Sequence, residues 1–425
     1  MEKAALNDCF LHDKDRLTHH QALQILADVL PTVTEAELVP LNAGSGRILA
    51  QDVTAPHAVP LHTNSAVDGY AFRHEELQAD ELSVSQKIAA GDLSPPPLEP
   101  ATAARIFTGA TMPAGADTVA MQEDCTETEG KVKIPSTLKL GSNCRLAGED
   151  LKEGDVLLRT GHRLSPRDIA AAASIGASKL HVSRKLRVTL FSTGDEMRRA
   201  ESADKPLQTG EVWDANAPLL ASALEKLPVE LIVGDILPDD QSEVENALRE
   251  AARNSDLIIT SGGASRGDED HMIDVLARLG KRHLWQLAVK PGRPMLMGQI
   301  NRLEYDHDCF FIGLPGNPVA AYVCFLLYAR TAVLRLCGAT KQLPAGFQLA
   351  AGFTIANKKP DRREFIRGIL STDEQGNQVA EKFHSTGSGL ISSLRLSDGL
   401  IEIPEEVTEL EAGTPVTFIP YTSFD

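Results

Sequence analysis

The chain has 425 residues, 42% of them apolar and 24% charged, a composition that builds ordinary buried cores over two or three domains. Its 42 basic against 59 acidic side chains leave a formal charge of −17. That balance speaks against nucleic acid or a membrane surface as the main partner, and an anionic ligand would need local cationic help.

The first residues, MEKAALNDCFLHDKD, show no basic segment leading into an apolar one and no small-residue cleavage signal, so a cytoplasmic protein is expected. Thr18 and Gln21 form a capping box ahead of Leu23, Leu26, Ala27 and Leu30 at helical spacing, which predicts an amphipathic helix over 18–30. From Val39 to about Leu158, short alternating or apolar runs punctuated by Gly and Pro predict a β-rich region. Ser165 before Pro166, with Asp168 behind and Gly176 at the far end, marks one short helix. From Leu186 the texture changes again. RVTLFSTG (187–194), ELIVGDI (230–236), DLIITSGG (256–263) and CFFIGLPG (309–316) read as apolar strands. Helical stripes lie among them: Val244, Ala247, Leu248 and Ala251 behind an Asp240 cap, then Met272, Val275, Leu276 and Leu279 ending at Gly280. Such alternation predicts a mostly parallel sheet covered by helices. The longest apolar stretch, Val319 to Ala329, falls well short of the roughly 20 residues that span a bilayer and reads as a buried helix. Past Pro344 the segments FQLAAGFTI, REFIRGIL, QVAEKF, GLIEI and PVTFIPY read as the strands of a small β domain. The six cysteines (Cys9, Cys125, Cys144, Cys309, Cys324 and Cys337) lie far apart without zinc-site spacing, so reduced structural thiols are expected.

Three of the four strands end directly in polar or Gly-rich loops: STGDE (192–196), TSGGASRGDED (260–270) and LPGNP (314–318), while the fourth ends at LPDD (237–240). Ligands of an open parallel sheet bind outside the carboxyl ends of its strands, so these loops should lie side by side. Glycine admits an anion close to the backbone and the following helices offer free N–H groups, which together describe a phosphate or oxyanion cradle. The same loops carry Asp195, Glu196, Asp239, Asp240, Asp268, Glu269 and Asp270, which suits a magnesium ion bridging carboxylates to substrate phosphate. The plainer reading is that these acids cap helices. Arg266, Lys290, Arg293, Arg363 and Arg367 supply cations, and Lys290 stands out between an apolar strand and a Pro-Gly turn. No P-loop lysine, no Gly-x-Gly-x-x-Gly after a strand and no HExxH is present, which disfavours kinase-like, dinucleotide-linked and zinc-protease readings.

The segments NSAVDGYAF (64–72), FTGATMPAGADTVAMQED (107–124), NCRLAGEDLKEGDVLL (143–158), FSTGDE (191–196), TSGGASRGDED (260–270), LAVKPGRP (287–294) and GLPGNPVA (313–320) resemble, in this order, the motifs of the MoeA and gephyrin E-domain family of molybdopterin molybdenumtransferases. The resemblance implies a multidomain α/β and β fold: a central MogA-like α/β domain with a mostly parallel sheet, β-rich N-terminal domains and a small C-terminal β-barrel-like domain. Expected units are an N-terminal helical segment at 1–35, a linking domain from 36–54 plus 156–183, a β-rich domain at 55–155, the α/β molybdopterin-binding domain at 184–343 and the barrel-like domain at 344–425. It further implies a homodimer whose cleft lies between the α/β part of one subunit and the β-rich part of the other. The activity implied is magnesium-dependent insertion of molybdate into adenylated molybdopterin with release of AMP. The pathway adenylyltransferase and recipient molybdoenzymes are the docking partners to be expected.

Carried over by motif, Asp68 looks like a catalytic carboxylate and Thr108 a substrate hydrogen-bond partner. Glu196, Asp239 and Asp270 look like catalytic and metal-binding carboxylates, with Asp240 an alternative to Asp239. Arg145 and Asp150 would contact the nucleotide or pterin, and Gly194, Gly262 and Gly263 the phosphates. Lys290, Arg367 and Ser388, with the turn Pro315, Asn317 and Pro318, resemble the part that receives molybdate. Gln286 and Arg293 stand where the family often has lysine; Gln286 removes a positive charge, which predicts weaker molybdate affinity, and Cys144 stands where an aliphatic residue is usual. A tungstate-loading relative and a gephyrin-like scaffold with vestigial catalysis are the competing readings.

Overall fold

In the computed structural model, residues 16–79, 81–92, 94–202, 204, 206–263, 271–385 and 387–425 are described. Helix α1 (His19–Val29) starts with the reciprocal cap expected of it: the Thr18 hydroxyl accepts from Gln21 N, and Gln21 Oε1 accepts from Thr18 N. Its Ala22, Leu26 and Leu30 enter the largest core. His19 packs edge-on against Tyr328 and Phe365, and burial pushes its pKa down to about 4, so the ring sits there neutral.

The chain then runs out into the β-rich region and back. Ala36–Pro40 pairs antiparallel with Lys179–Ser183, and Val53–Thr54 with Val156–Leu158. Between these paired legs a six-stranded sheet forms around Ala71, Ile88, Ala104, Ile106 and Val119. The helix Pro166–Ser174 carries the Ser165–Asp168 capping box.

The central unit consists of β1 (Leu186–Thr193), α2 (Asn216–Leu224), β2 (Val229–Leu237), α3 (Gln241–Asn254), β3 (Leu257–Ser261), α4 (Met272–Leu279), β4 (Gly280–Gln286), β5 (Pro294–Ile300) and β6 (Cys309–Leu314). Its sheet order is β2-β1-β3-β6-β5-β4, parallel through β6 and antiparallel at the last two strands. Strands β1, β3 and β6 are buried nearly throughout, which is why they read as continuous apolar runs, while β2 at the sheet edge leaves Ile232 and Val233 about half exposed. Asp256, just ahead of β3, has a fully buried carboxylate held by Arg184 and Arg187. Burial alone would raise its pKa, but hydrogen bonds from those guanidinium groups pull it down to about 2.

Helix α5 (Pro318–Leu336) contains a π-helical turn at Phe325–Ala329. It is long and apolar enough to cross a membrane by composition, yet 89% of it is buried, as the sequence reading of a core helix requires. Its core continues into the last unit through Phe365, Leu400 and Ile419. There β7 (Phe347–Ala351), β8 (Arg363–Thr372), β9 (Gln378–Lys382), β10 (Gly399–Ile403) and β11 (Pro415–Pro420) pair in the circuit β8-β9-β7-β11-β10-β8, a closed barrel. A sixth strand, Val289–Lys290 from the α/β unit, adds to β8 in parallel.

Candidate active site

The registers of the parallel strands bring their ends to one level: Thr193 lies opposite Leu237, Ser192 opposite Ser261, and Ser261 opposite Leu314. The loops that follow therefore meet, as the topology predicts. They line a cavity of about 1030 Å³ that takes in Gly194, Glu196, Asp239, Gly262, Gly263, Lys290, Pro315, Asn317, Pro318 and Ser388 from the sequence reading, together with Arg293. Gly194 and Gly262 have φ of +118° and +93°; a Cβ at Gly262 would collide with the Thr193 hydroxyl, so only glycine keeps this loop close to its neighbour.

Asp239 faces the cavity, and its neighbour does not. Asp240 caps α3, accepting from Ser242 N, Ser242 Oγ and Glu243 N, and the Ser242 hydroxyl and these amides hold its carboxyl below the usual range. Asp195 Oδ1 accepts from Asp239 N at 3.2 Å, which ties the loop after β1 to the loop after β2. Glu196 and Asp239 are hard oxygen donors on adjacent strand ends. Among the described residues no cluster of three or more His, Cys, Asp or Glu side chains is close enough to cage a metal. Two carboxylates fit magnesium all the same, since that ion commonly takes one or two and completes its shell with water and substrate phosphate. Asp270, with Arg266, Asp268 and Glu269, lies outside the described residues.

Lys290, Arg293 and Ser388 line the same cavity. Lys290 Nζ is 3.4 Å from each carboxylate oxygen of Glu364. Arg367 does not line the cavity. It is 3% exposed, and its guanidinium donates to Ser393 Oγ, Ser385 O and Gly387 O, so it fixes the loop that carries Ser388. Gln286 is likewise absent from the lining; its carbonyl accepts from Leu17 N.

Several contributors escaped the sequence reading. Asn216, 1% exposed at the start of α2, donates from Nδ2 to Ser261 Oγ and to Gly316 O, both at 2.6 Å, and so joins the end of β3 to the Pro315–Pro318 turn. Buried Asp214 accepts from Ser192 Oγ, Arg199 Nη1 and Ala217 N. Trp213 and His271 complete the wall. The available signal was the Asp-x-Asn ahead of the helix, in a stretch without apolar periodicity.

Asp68, Thr108, Arg145 and Asp150 lie elsewhere, in the β-rich region. Asp68 Oδ1 accepts from Thr108 N at 2.8 Å and Thr108 Oγ1 at 2.7 Å, and these bonds hold its carboxyl below the usual range. Thr108, Arg145 and Asp150 are exposed, and Arg145 pairs in register with Asn64 on the strand that leads to Asp68. Cys144 is half-buried, with its thiol pushed up to about 11 by burial and by Asp117, as suits a structural thiol.

Comparison with known proteins accounts for most of the chain. Residues 17–176 match the family described as MoeA N-terminal region (domain I and II), 189–335 the probable molybdopterin binding domain, and 354–421 the MoeA C-terminal region (domain IV). The chain is 36% identical over 408 residues to a molybdopterin molybdenumtransferase of Haemophilus influenzae, covering 95% of this chain and 98% of that one. It is 33% identical over 398 residues to one from Nostoc, covering 92% and 90%. Among solved structures, the molybdopterin biosynthesis moeA protein of Pyrococcus horikoshii superposes with a TM-score of 0.79 at 27% identity, over 96% of this chain and 100% of that chain.

Proposed function

The chain belongs to the molybdopterin molybdenumtransferase family, enzymes of molybdenum cofactor biosynthesis, and from that premise we propose that it inserts molybdenum from molybdate into molybdopterin presented as its adenylate, with magnesium and with release of AMP. The observation that carries this reading is the meeting, in one cavity, of glycine loops and two carboxylates on the strand ends with Lys290, Arg293 and Ser388. A phosphate-bearing substrate and a separate oxyanion call for that division.

In this reading Gly194, Gly262 and Gly263 let the backbone reach the substrate phosphates. Glu196 and Asp239 would hold the magnesium ion, which when bound offsets phosphate charge. Lys290, Arg293 and Ser388 hold the tetrahedral oxyanion, while Arg367 and Asn216 keep the flanking loops in place. Asp68, held ionised by Thr108, faces solvent with Arg145 and Asp150 in the same region. Their absence from the lining is consistent with a homodimer in which the β-rich region of a second copy completes the cleft. A cytoplasmic location goes with this function.

The test is AMP release from purified adenylated molybdopterin by this protein with magnesium, with and without molybdate or tungstate. Molybdate-dependent release, with molybdenum recovered on the pterin, is expected. Tight binding of the adenylate without release under either oxyanion would overturn the proposal in favour of a binding or scaffold protein.

A further inference from the structure

Lys290 belongs by sequence to the α/β unit but is seated by the barrel. Val289 and Lys290 add to β8 in register with Arg363 and Glu364. Arg363 is itself fastened to the barrel by Glu402 at 2.6 Å and Glu405 at 2.7 Å, so the seat is firm. Within it the Lys290 ammonium stands 3.4 Å from both oxygens of Glu364. That is longer than the roughly 2.7–2.9 Å of a well-made charge-assisted hydrogen bond, so the pair is loose enough to be displaced. The acid is the more buried partner: its side chain is 12% exposed against 40% for the lysine, and Arg362 Nη2 stands 3.8 Å away on its other side. Glu364 therefore stays where it is while the lysine can turn toward the cavity.

Resting on the oxyanion role given to Lys290 above, we propose that Glu364 is a positioning residue that holds the Lys290 ammonium across the boundary between the α/β unit and the barrel, in competition with the incoming oxyanion, and so sets the oxyanion affinity of the site. With no oxyanion bound, the lysine charge is already answered, and the site does not take up whatever anion is abundant. A tetrahedral dianion displaces the carboxylate because it brings more charge to the ammonium and also reaches Arg293 and Ser388.

Titration calorimetry of the full chain with molybdate alone separates the possibilities, using wild type, Glu364→Gln, Lys290→Met and the double variant, each checked for retained fold by circular dichroism. Glu364→Gln is expected to bind molybdate about five-fold more tightly, the effect of removing a partly exposed competing ion pair. Lys290→Met should weaken binding, and Glu364→Gln should have no effect in its presence. Under turnover the gain should appear as a lower KM for molybdate without a higher kcat. Unchanged or weaker binding by Glu364→Gln, while Lys290→Met still loses affinity, overturns this proposal alone; so does tightening that persists without the lysine. Failure of wild type to bind molybdate overturns the functional reading and this proposal with it.

Discussion

In the α/β unit, one sheet gathers residues from across more than a hundred positions of sequence, because the strand registers place Thr193, Leu237, Ser261 and Leu314 at a common level. In the β-rich region, Asp68 and Thr108 sit in turns beside paired strands and are tied to each other, while Arg145 lies on a short paired segment, with their functional atoms at the surface. The first region makes a cavity from its own topology; the second makes a pre-set carboxylate and leaves the cavity to something else. A residue can thus belong to a specific motif without lining the cavity of its own chain, which is the arrangement that the proposed homodimer would use.

Substitutions can break that contrast. Glu196→Ala should cost the largest factor, about a hundred-fold or more in the proposed AMP release, because it removes an oxygen donor to the proposed magnesium ion. A loss below ten-fold would move the metal away from the end of β1. Asp68→Ala should lose nearly as much for a different reason, and mixing it with Glu196→Ala tests the geometry directly. If each cleft takes Glu196 from one copy and Asp68 from the other, random reassociation restores about a quarter of wild-type activity. If both act within one chain, the mixture stays inactive. Arg367→Leu should weaken molybdate binding about ten-fold through the Ser388 loop, read by the same calorimetry; an unchanged affinity would leave Arg367 with a purely structural role in the barrel.

The smallest effect is a shift in pH. Hydrogen bonds from Thr108 favour the ionised form of Asp68, so its folded pKa lies below the ordinary value and the carboxylate persists further into acid. Thr108→Val removes the hydroxyl donor and leaves the amide. The pKa should rise part of the way back, and the acidic limb of the pH–activity profile should move to higher pH. A limb that does not move would mean that Asp68 does not govern it.

Strands β1, β3 and β6 and their loops were legible because burial on both faces writes a continuous apolar run, and the run stops where the loop lining the cavity begins. The barrel was legible as strands, and its closure followed from β8 pairing with both β9 and β10. Arg367 was misleading. An arginine in a strand looks like a surface cation or an anion ligand, and nothing local says that three acceptors, at Ser385, Gly387 and Ser393, will surround it. Asn216 was hidden for a related reason, since its partners Ser261 and Gly316 lie far away in sequence; Asp214 had a local signal in its bond from Ala217 N three residues on, but its bonds from Ser192 and Arg199 follow no spacing rule. Asp239 and Asp240 are neighbours that sequence could not separate, and local capping separates them, since only Asp240 sits where the free amides of α3 converge.

Helix α5 has a consequence for how this chain is made. Its 19 residues leave the ribosome before β8, β10 and β11, whose Phe365, Leu400 and Ile419 form part of its cover. At synthesis rates of about 5–20 residues per second, a segment greasy enough to pass for a membrane anchor waits roughly 5 to 15 seconds for that cover. The nascent chain is therefore a natural client for holding chaperones. A chain ended after residue 343 is expected to partition into the insoluble fraction, and recovery of such a fragment as a soluble monomer would show that α1 and α2 shield the helix without the barrel.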